Sequence, residues 1–444
     1  MSLSLVNTEY GLIEGLKCDG YTVFKGIPYA KPPIGDLRWR APQKPEPWEG
    51  IYEAKTFSNK SMQEDHPDAF YDKEFYCKDE YKVQASEDSL YLNIWTPAEQ
   101  IDEKLPVLFY IHGGAFMGGY GSEMEFDGEA YCKKGVILVT VNYRLNIFGF
   151  LAHPWFQEEN DAHVAGNYGT LDQIAALEWV YHNIQNFGGD AGNITIMGQS
   201  AGAMSVQTLI CSPLTGEMIA GAIMQSGGGY DNGMNERMTL EDALSYGEIF
   251  VNLTGAESAE ELRSKTPEEL YDALGPFMGE MMKRGKGLVF KPNIDGYVLE
   301  KYYDELIEEG AVKKIPYLLG SNKNDIFVEK KDAEAGVRSK LYNGCVNFSQ
   351  KLEKAGLGAS YVSFFKRELP GDDAGAYHSA ELWYTFGTLS RCWRPMTEGD
   401  HALSESMVEF WTNFAKTGNP NSNGDIVWKQ CTQDEAFVME FDVK

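Results

Sequence analysis

From about residue 90 onward, runs of apolar, β-branched and aromatic residues alternate with helical patterns. Five of these runs predict buried strands: LPVLFYIH (105–112), VILVTVNY (136–143), NITIMG (193–198), GAIMQSG (221–227) and IPYLLG (315–320). Between the second and third runs, apolar residues recur at helical spacing at Leu171, Ile174, Leu177, Tyr181 and Ile184. Strands separated by helices favour an α/β fold, with a mostly parallel central sheet flanked by helices.

No repeat, low-complexity tract or linker divides the 444 residues. The segment from about 230 to 310 is polar and helix-forming, which suggests a helical cap over the sheet. We therefore predict one domain over residues 1–444, with cap-like helical segments at about 230–310 and 326–377.

The chain is acidic, with 66 Asp and Glu residues against 39 Lys and Arg residues and a formal charge of −27. A surface of this sign repels nucleic acid, so nucleic acid is not an expected partner. The charge indicates either a well-solvated surface or the attraction of cationic substrates toward a cleft. No stretch approaches the roughly 18 uninterrupted apolar residues of a membrane span, so no membrane partner is expected.

The seven cysteines are scattered and form no C-x-x-C pair. Unpaired thiols favour a reducing compartment, and the N-terminal sequence has no signal-peptide pattern. We therefore expect a cytoplasmic protein, although earlier removal of a leader would leave the same sequence.

The stretch IMGQSAGAM places Ser200 between Gly198 and Gly202, directly after a predicted strand. Gly and Ser are common in ordinary turns, but G-x-S-x-G between a strand and a helix is also the spacing of a nucleophile elbow. A serine hydroxyl needs a base, an orienting acid and an oxyanion site before it can act as a nucleophile.

Candidates for the oxyanion site follow from the same pattern. One N–H group is expected from Ala201, directly after the serine, and others from a glycine-rich turn after an earlier strand. HGGAF (112–116) lies at the end of the first predicted strand, so Gly114 and Ala115 are the candidates there, unless this segment is only a turn.

Only two of the seven histidines, His378 and His401, follow Ser200 in the chain. His401 lies at a predicted helix start, whereas His378 lies in a loop with glycines nearby, so we predict His378 as the base. Asp325 is the nearest carboxylate past the strand IPYLLG and is the predicted acid, with a surface turn as the alternative.

The chain resembles the type B carboxylesterases, an α/β-hydrolase family that includes cholinesterases and bacterial p-nitrobenzyl esterases. The matching blocks are FKGIPYAKPPIGDLRWRAP, SEDSLYLNIWTP, HGGAF, VTVNYRLNIFGFL, GNYGTLDQIAALEWV, NFGGDAGNITIMGQSAG, IMQSGG and EFWTNFAKTGNPN. The resemblance implies Ser200 as nucleophile, His378 as base and Asp325 as acid. It also implies oxyanion donors at Gly114, Ala115 and Ala201, and places Gln199 and Ser226 beside the triad.

Several positions depart from the family pattern. The usual acid is glutamate followed by glycine, whereas Asp325 is followed by isoleucine, and Gln199 replaces a frequent glutamate. Ser89 stands where secreted relatives have a disulfide cysteine, which leaves Cys77 without that partner. The tryptophan on which cholinesterases place quaternary ammonium is absent, so choline esters are not the expected substrates. Only 53 positions separate Asp325 from His378, which implies a shortened helical cap and a more open site.

Two groups of residues are candidates for contacts with substrate. The aromatics of HPDAFYDKEFYCKDEY (66–81), namely Phe70, Tyr71, Phe75, Tyr76 and Tyr81, either line the mouth of the site or hold a surface loop. The predicted acyl and alcohol pockets include Phe116, Met117, Leu382, Trp383 and Phe386.

The sequence therefore predicts a serine carboxylesterase that hydrolyses small to medium esters through an acyl-enzyme. The alternatives are a lipase for longer acyl chains and a non-catalytic binding homologue. No metal or organic cofactor is expected, since H-E-x-x-H and phosphate-loop motifs are absent. The expected partner is a small-molecule ester, and the oligomeric state, monomer or dimer, is left open.

Overall fold

The computed structural model describes residues 3–65, 69–422 and 426–443. Its strands are β1 (Leu5–Thr8), β2 (Gly11–Lys17), β3 (Thr22–Pro28), β4 (Ile51–Ala54), β5 (Lys60–Ser61), β6 (Ala85–Ser86), β7 (Tyr91–Thr96), β8 (Leu105–Ile111), β9 (Ile137–Val141), β10 (Gly189–Gln199), β11 (Gly221–Gln225), β12 (Tyr317–Asn322), β13 (Tyr361–Phe365) and β14 (Met439–Phe441). Its α-helices are α1 (Ala69–Phe75), α2 (Glu129–Cys132), α3 (Asn146–Phe150), α4 (Pro154–Gln157), α5 (Tyr168–Asn183), α6 (Ala201–Cys211), α7 (Leu240–Thr254), α8 (Ala259–Ser264), α9 (Pro267–Lys283), α10 (Tyr303–Glu308), α11 (Lys330–Glu334), α12 (Lys340–Lys354), α13 (Leu382–Thr385) and α14 (Glu398–Thr417).

One large sheet has the strand order β1-β2-β3-β7-β9-β8-β10-β11-β12-β13-β14, with β4 paired to β2. From β9 through β14 in this order all neighbours are parallel, whereas β1, β2, β3 and β7 form an antiparallel side. Gly198 of β10 pairs with Ile111 of β8, and Gln199 pairs with Gln225 of β11. The carboxyl ends of these three strands therefore meet at one edge of the sheet.

The sheet is buried on both faces. Along β8, Val107, Phe109 and Ile111 belong to one apolar core, whereas Leu108 and Tyr110 belong to the core on the opposite face. Alternate residues of a strand point to opposite faces, so a strand with two buried faces appears in sequence as an unbroken apolar run. The five predicted strands and the helix between the second and third are present, and the α/β-hydrolase arrangement is confirmed.

The segments predicted as cap-like differ from each other. Residues 230–310 supply the helices α7 to α10, of which α7 and α9 start at capping boxes built on Thr239 and Thr266. Residues 326–377 supply two helices and also β13, which pairs with β12 inside the main sheet. Within the described ranges, no helix is long and apolar enough to cross a membrane.

Candidate active site

Ser200 lies between the end of β10 and the start of α6. Its backbone has φ 56° and ψ −125°, a combination that a non-glycine residue rarely adopts. Its N–H donates to the Gln225 carbonyl at 2.8 Å, which ties the turn to β11. The side chain is 8% exposed, and it lines a cavity of about 650 Å³. This is the geometry of a nucleophile elbow, with a strained turn held by the strands around it.

The glycines around Ser200 are required by space. A Cβ on Gly198 would lie 2.3 Å from the carbonyl carbon of Gly202. A Cβ on Gly202 would lie 2.0 Å from the Ile111 oxygen, and one on Gly227 would lie 2.1 Å from the Ser200 oxygen. Because all these neighbours are backbone atoms, a side chain at any of the three positions would displace the elbow.

The predicted oxyanion donors surround the same turn. Gly114 and Ala115 follow β8 with φ values of 100° and 56°, and both line the cavity that contains Ser200. Among the described residues, neither N–H donates to a protein acceptor. Ala201 is the first residue of α6, so its N–H has no acceptor within the helix. Three N–H groups without protein acceptors thus lie in or next to the site.

His378 and Asp325 are joined by a hydrogen bond. The Nδ1 atom of His378 lies 2.6 Å from the Asp325 Oδ1 atom, and the Asp325 side chain is fully buried. This bond places the proton on Nδ1 and leaves Nε2 as the basic nitrogen. The His378 ring lines the cavity together with Ser200, so the fold brings all three predicted triad residues to one edge of the sheet.

Further contacts hold the acid and the base. Ser226 Oγ donates to Asp325 Oδ2 at 2.7 Å, and the Asn322 and Ile326 N–H groups each donate to the carboxylate at 2.9 Å. The Gln199 amide nitrogen lies 3.4 Å from His378 Nε2. Both residues predicted beside the triad, Gln199 and Ser226, therefore contact it.

Glu381 is a second buried carboxylate near the predicted triad, and no sequence motif indicated it. Gln225 donates to Glu381 Oε1 at 3.3 Å, and Asn322 donates to its other oxygen. Burial, together with the charge of Asp325, raises the pKa of Glu381 to about 7. The only signal in the sequence was a carboxylate three residues after His378 in an otherwise apolar stretch.

The charges around His378 change its basicity. Burial lowers the pKa of the imidazole, but the carboxylates of Asp325 and Glu381 oppose that effect. The pKa of His378 is therefore raised above its ordinary value of 6.5. A raised pKa makes this imidazole a stronger proton acceptor.

One wall of the cavity comes from residues 60–65 and 69–83, and it includes Tyr71, Phe75 and Tyr76. Residues 66–68 of this stretch lie outside the described part of the chain. The Tyr71 hydroxyl donates to the His378 carbonyl at 3.2 Å. The other two aromatics of this stretch make different contacts: Phe70 packs edge-on against Tyr377 at 4.9 Å, and Arg391 lies over the Tyr81 ring. Some aromatics of this stretch therefore line the cavity and others pack against the protein body, as the two alternatives from the sequence proposed.

Of the five predicted pocket residues, Leu382 lines the cavity. Phe116 is fully buried against Phe150. Trp383 stacks behind Phe75, and Phe386 packs behind Tyr110 and Phe126, so these two rings support the lining. Met117 packs at the margin of a core cluster. The aromatic composition of these segments could not distinguish side chains that line a cavity from those behind them.

Ser89 faces a second serine. Its hydroxyl lies 3.0 Å from the Ser61 hydroxyl, and both side chains are buried. Cys77 is exposed and free. The residue opposite Ser89 is therefore Ser61, and no cysteine lies on either side of this contact.

Three comparisons place the chain among known proteins. A family model described as "Carboxylesterase family" matches residues 2–341 and 337–444. The chain is 38% identical over 319 residues to a fumonisin B1 esterase of Sphingopyxis macrogoltabida, covering 72% of this chain and 56% of that protein. It is 31% identical over 488 residues to the para-nitrobenzyl esterase of Bacillus subtilis strain 168, covering 100% and 96%.

Solved structures agree with these sequence matches. A PNB esterase superposes with a TM-score of 0.84 at 29% identity, covering 99% of this chain and 96% of that one. A carboxylesterase of Geobacillus stearothermophilus superposes with a TM-score of 0.81 at 32% identity and the same coverage. The chain belongs to the carboxylesterase family and is a carboxylic ester hydrolase.

Proposed function

We propose that this carboxylesterase acts through Ser200 as nucleophile, His378 as general base and Asp325 as orienting acid. The observation that carries the proposal is the 2.6 Å bond between His378 and Asp325 beside an elbow that holds Ser200 in the same cavity. An imidazole fixed by a buried carboxylate at Nδ1 has Nε2 available to accept the serine proton.

In the proposed first step, Ser200 Oγ attacks the ester carbonyl while His378 Nε2 takes its proton. The tetrahedral oxyanion accepts hydrogen bonds from the N–H groups of Gly114, Ala115 and Ala201. Each such donor contributes roughly 3 kcal/mol to the transition state. His378 then protonates the leaving alcohol as the acyl-enzyme forms.

In the second step, water replaces the alcohol. His378 takes a proton from water as its oxygen attacks the acyl carbon, and Ser200 recovers the proton when the carboxylic acid leaves. The positive charge that His378 carries in both transition states is stabilised by Asp325 and by the more distant Glu381.

We infer small to medium esters as substrates. A cavity of about 650 Å³ lies in the middle of the range for small-ligand sites, roughly 300 to 1,000 Å³. Its apolar lining near the triad comes mostly from aromatic rings and Leu382. The seven free cysteines are compatible with action in the cytoplasm.

The test is hydrolysis of p-nitrophenyl esters from acetate to palmitate by the wild type and by Ser200→Ala. We expect the highest kcat/KM with short and medium acyl chains, and a loss of about 10⁶-fold in kcat for the variant. A fluorophosphonate should label the wild type and not Ser200→Ala, with circular dichroism as the check that the variant is folded. A folded variant that keeps substantial turnover would show that another residue is the nucleophile.

A further inference from the structure

Two glutamates lie in the cavity wall, a few residues after the oxyanion turn. Glu123 and Glu125 are 6% and 1% exposed, and both line the cavity that contains Ser200. Glu123 Oε1 accepts hydrogen bonds from the Tyr76 hydroxyl at 2.8 Å and from the Tyr120 N–H at 3.0 Å. A buried carboxylate with two donors is held in a fixed position.

The polar atoms beside Glu123 have fewer partners. Among the described residues, the Tyr110 hydroxyl has no hydrogen-bond partner, and Glu125 Oε2 has none when both glutamates are ionised, since the hydrogen bond between the Glu123 and Glu125 carboxyl groups requires a proton on one of them. Both side chains are at least 99% buried, and both line the cavity. A buried polar atom without a partner is costly, which makes these two atoms the natural contacts of a polar ligand group.

The surrounding charge specifies the sign of that group. Charged side chains lining the cavity include five carboxylates, at Glu64, Asp65, Asp72, Glu123 and Glu125, and two ammonium groups, at Lys60 and Lys82. The Lys60 ammonium is held by Asp65 at 2.5 Å and lies 5.5 Å from the centre of the Tyr120 ring. The described cavity lining therefore carries a net negative charge, and the ammonium group of Lys60 is already paired with Asp65.

We propose that Glu123, Glu125 and Tyr110 bind a primary ammonium group on the ester substrate, a proposal that rests on the function proposed for Ser200. A primary ammonium group has three N–H donors, which match the carboxylate oxygens and the phenol oxygen. Aromatic rings beside the carboxylates, at Tyr76, Tyr110, Tyr120 and Phe126, add attraction for a cation. A quaternary ammonium group has no N–H and would leave these oxygens without donors.

The protonation of Glu123 and Glu125 is consistent with an ammonium-binding site. Burial raises the pKa of Glu123, and burial together with the charge of Glu123 raises the pKa of Glu125 well above its ordinary value. Hydrogen bonds to Glu123 from Glu125, Tyr76 and the Tyr120 N–H, and then the charge of Lys60, only partly oppose the effect of burial, and the charge of Arg391 does so weakly at Glu125. Without substrate, a proton between the two carboxyl groups is the simplest way to relieve their repulsion, and the incoming ammonium group replaces it.

The first test uses two esters that differ only in charge, p-nitrophenyl 6-aminohexanoate and p-nitrophenyl heptanoate. We expect the wild type to have at least a 10-fold higher kcat/KM for the aminoacyl ester. Because the ammonium group could instead belong to the alcohol, hexylammonium and 1-hexanol are also compared as competitive inhibitors of heptanoate hydrolysis. Hexylammonium should have at least a 10-fold lower inhibition constant.

The second test measures the same ratios in Glu125→Gln and in the control Glu405→Gln, which removes an exposed carboxylate on α14. Glu125→Gln should lower the preference for the charged compounds by about 10- to 100-fold, as expected for loss of a charged hydrogen bond. The control should keep the wild-type ratios, since loss of one surface charge changes only the weak long-range attraction.

The proposal would be overturned if the wild type had equal kcat/KM values and equal inhibition constants for the charged and neutral compounds. It would also be overturned if Glu125→Gln and Glu405→Gln had the same charged-to-neutral ratios. Such a result would leave the proposed function intact, because heptanoate hydrolysis that depends on Ser200 tests it separately. If heptanoate is not hydrolysed at all, the failure lies in the proposed function.

Discussion

The cavity is built from two regions that differ in how firmly they are fixed. On one side lies the carboxyl edge of the sheet, where the turns after β8, β10 and β12 hold the oxyanion donors, Ser200 and Asp325. On the other side lies the wall from residues 60–65 and 69–83, whose described residues include the short helix α1 and the two-residue strand β5. Backbone atoms closer than 2.5 Å exclude any Cβ at Gly198 and Gly202.

We expect the two regions to have different roles, with the sheet edge carrying out the reaction and the wall influencing the choice of substrate. A reacting geometry must be accurate to fractions of an ångström, so it is formed by strand ends whose positions the hydrogen-bonded sheet determines. We expect substrate preference to depend on cavity-lining side chains that can change without moving the strands, such as Tyr71 and Tyr76. We therefore expect substitutions at the sheet edge to reduce kcat by orders of magnitude, and changes in the wall to alter stability or substrate preference.

The largest effect at the sheet edge, after loss of the nucleophile, is expected from Asp325→Asn. An amide in place of the carboxylate removes the charge that stabilises the imidazolium and permits the wrong tautomer of His378. In serine proteases the same change reduces kcat by about 10⁴-fold. Steady-state hydrolysis of p-nitrophenyl butyrate at pH 8 measures the loss directly.

Asp325→Glu is the matched control for this prediction. It keeps the charge and adds one methylene, so it should retain more activity than Asp325→Asn. A kcat of Asp325→Asn within a few-fold of the wild type would show that Asp325 is not the orienting acid.

The same division explains which parts of the molecule the sequence could predict. The elbow, the HGGAF turn and the five strands are local patterns, so their placement at one edge follows from parallel pairing. The strand β13 was missed because YVSFF is only five residues long and follows the amphipathic helix α12 within a segment predicted as helical. Glu381, Glu123 and the pairing of Ser61 with Ser89 depend on contacts between distant segments, for which neither spacing nor composition gives a signal.

We expect a moderate gain in stability from a disulfide between position 61, at the start of the wall, and position 89. Their hydroxyl oxygens lie 3.0 Å apart and 28 positions separate them in the chain. In Ser61→Cys/Ser89→Cys, oxidation should close this loop and raise the free energy of unfolding by about 3 to 4 kcal/mol. Denaturant unfolding with and without reductant measures the gain.

The single variant Ser61→Cys is the control, since it cannot form this cross-link and its stability should not depend on reductant. If the oxidised double variant also hydrolyses small and bulky esters in the wild-type ratio, the wall need not move during turnover. An unchanged unfolding midpoint in a verified disulfide form would mean that strain from the cross-link in the folded state offsets the entropy lost by the unfolded chain.

The smallest expected effect concerns pH, and it returns to the sheet edge. With His378 as the proposed general base, only its neutral form is active, so kcat/KM should rise with pH, with a midpoint above 6.5 because Asp325 and Glu381 raise the pKa of the imidazole against the effect of burial. Glu381→Gln removes one of these carboxylates and nearly preserves shape. The pKa of His378 then falls, and the acidic limb of the profile should move to lower pH by roughly 0.5 to 1.

A merely structural role for Glu381 would lower stability or kcat without moving this limb, and a limb that stays in place in a stably folded variant would contradict the electrostatic role. Glu405→Gln, with its carboxylate in solvent, should leave the limb where it is.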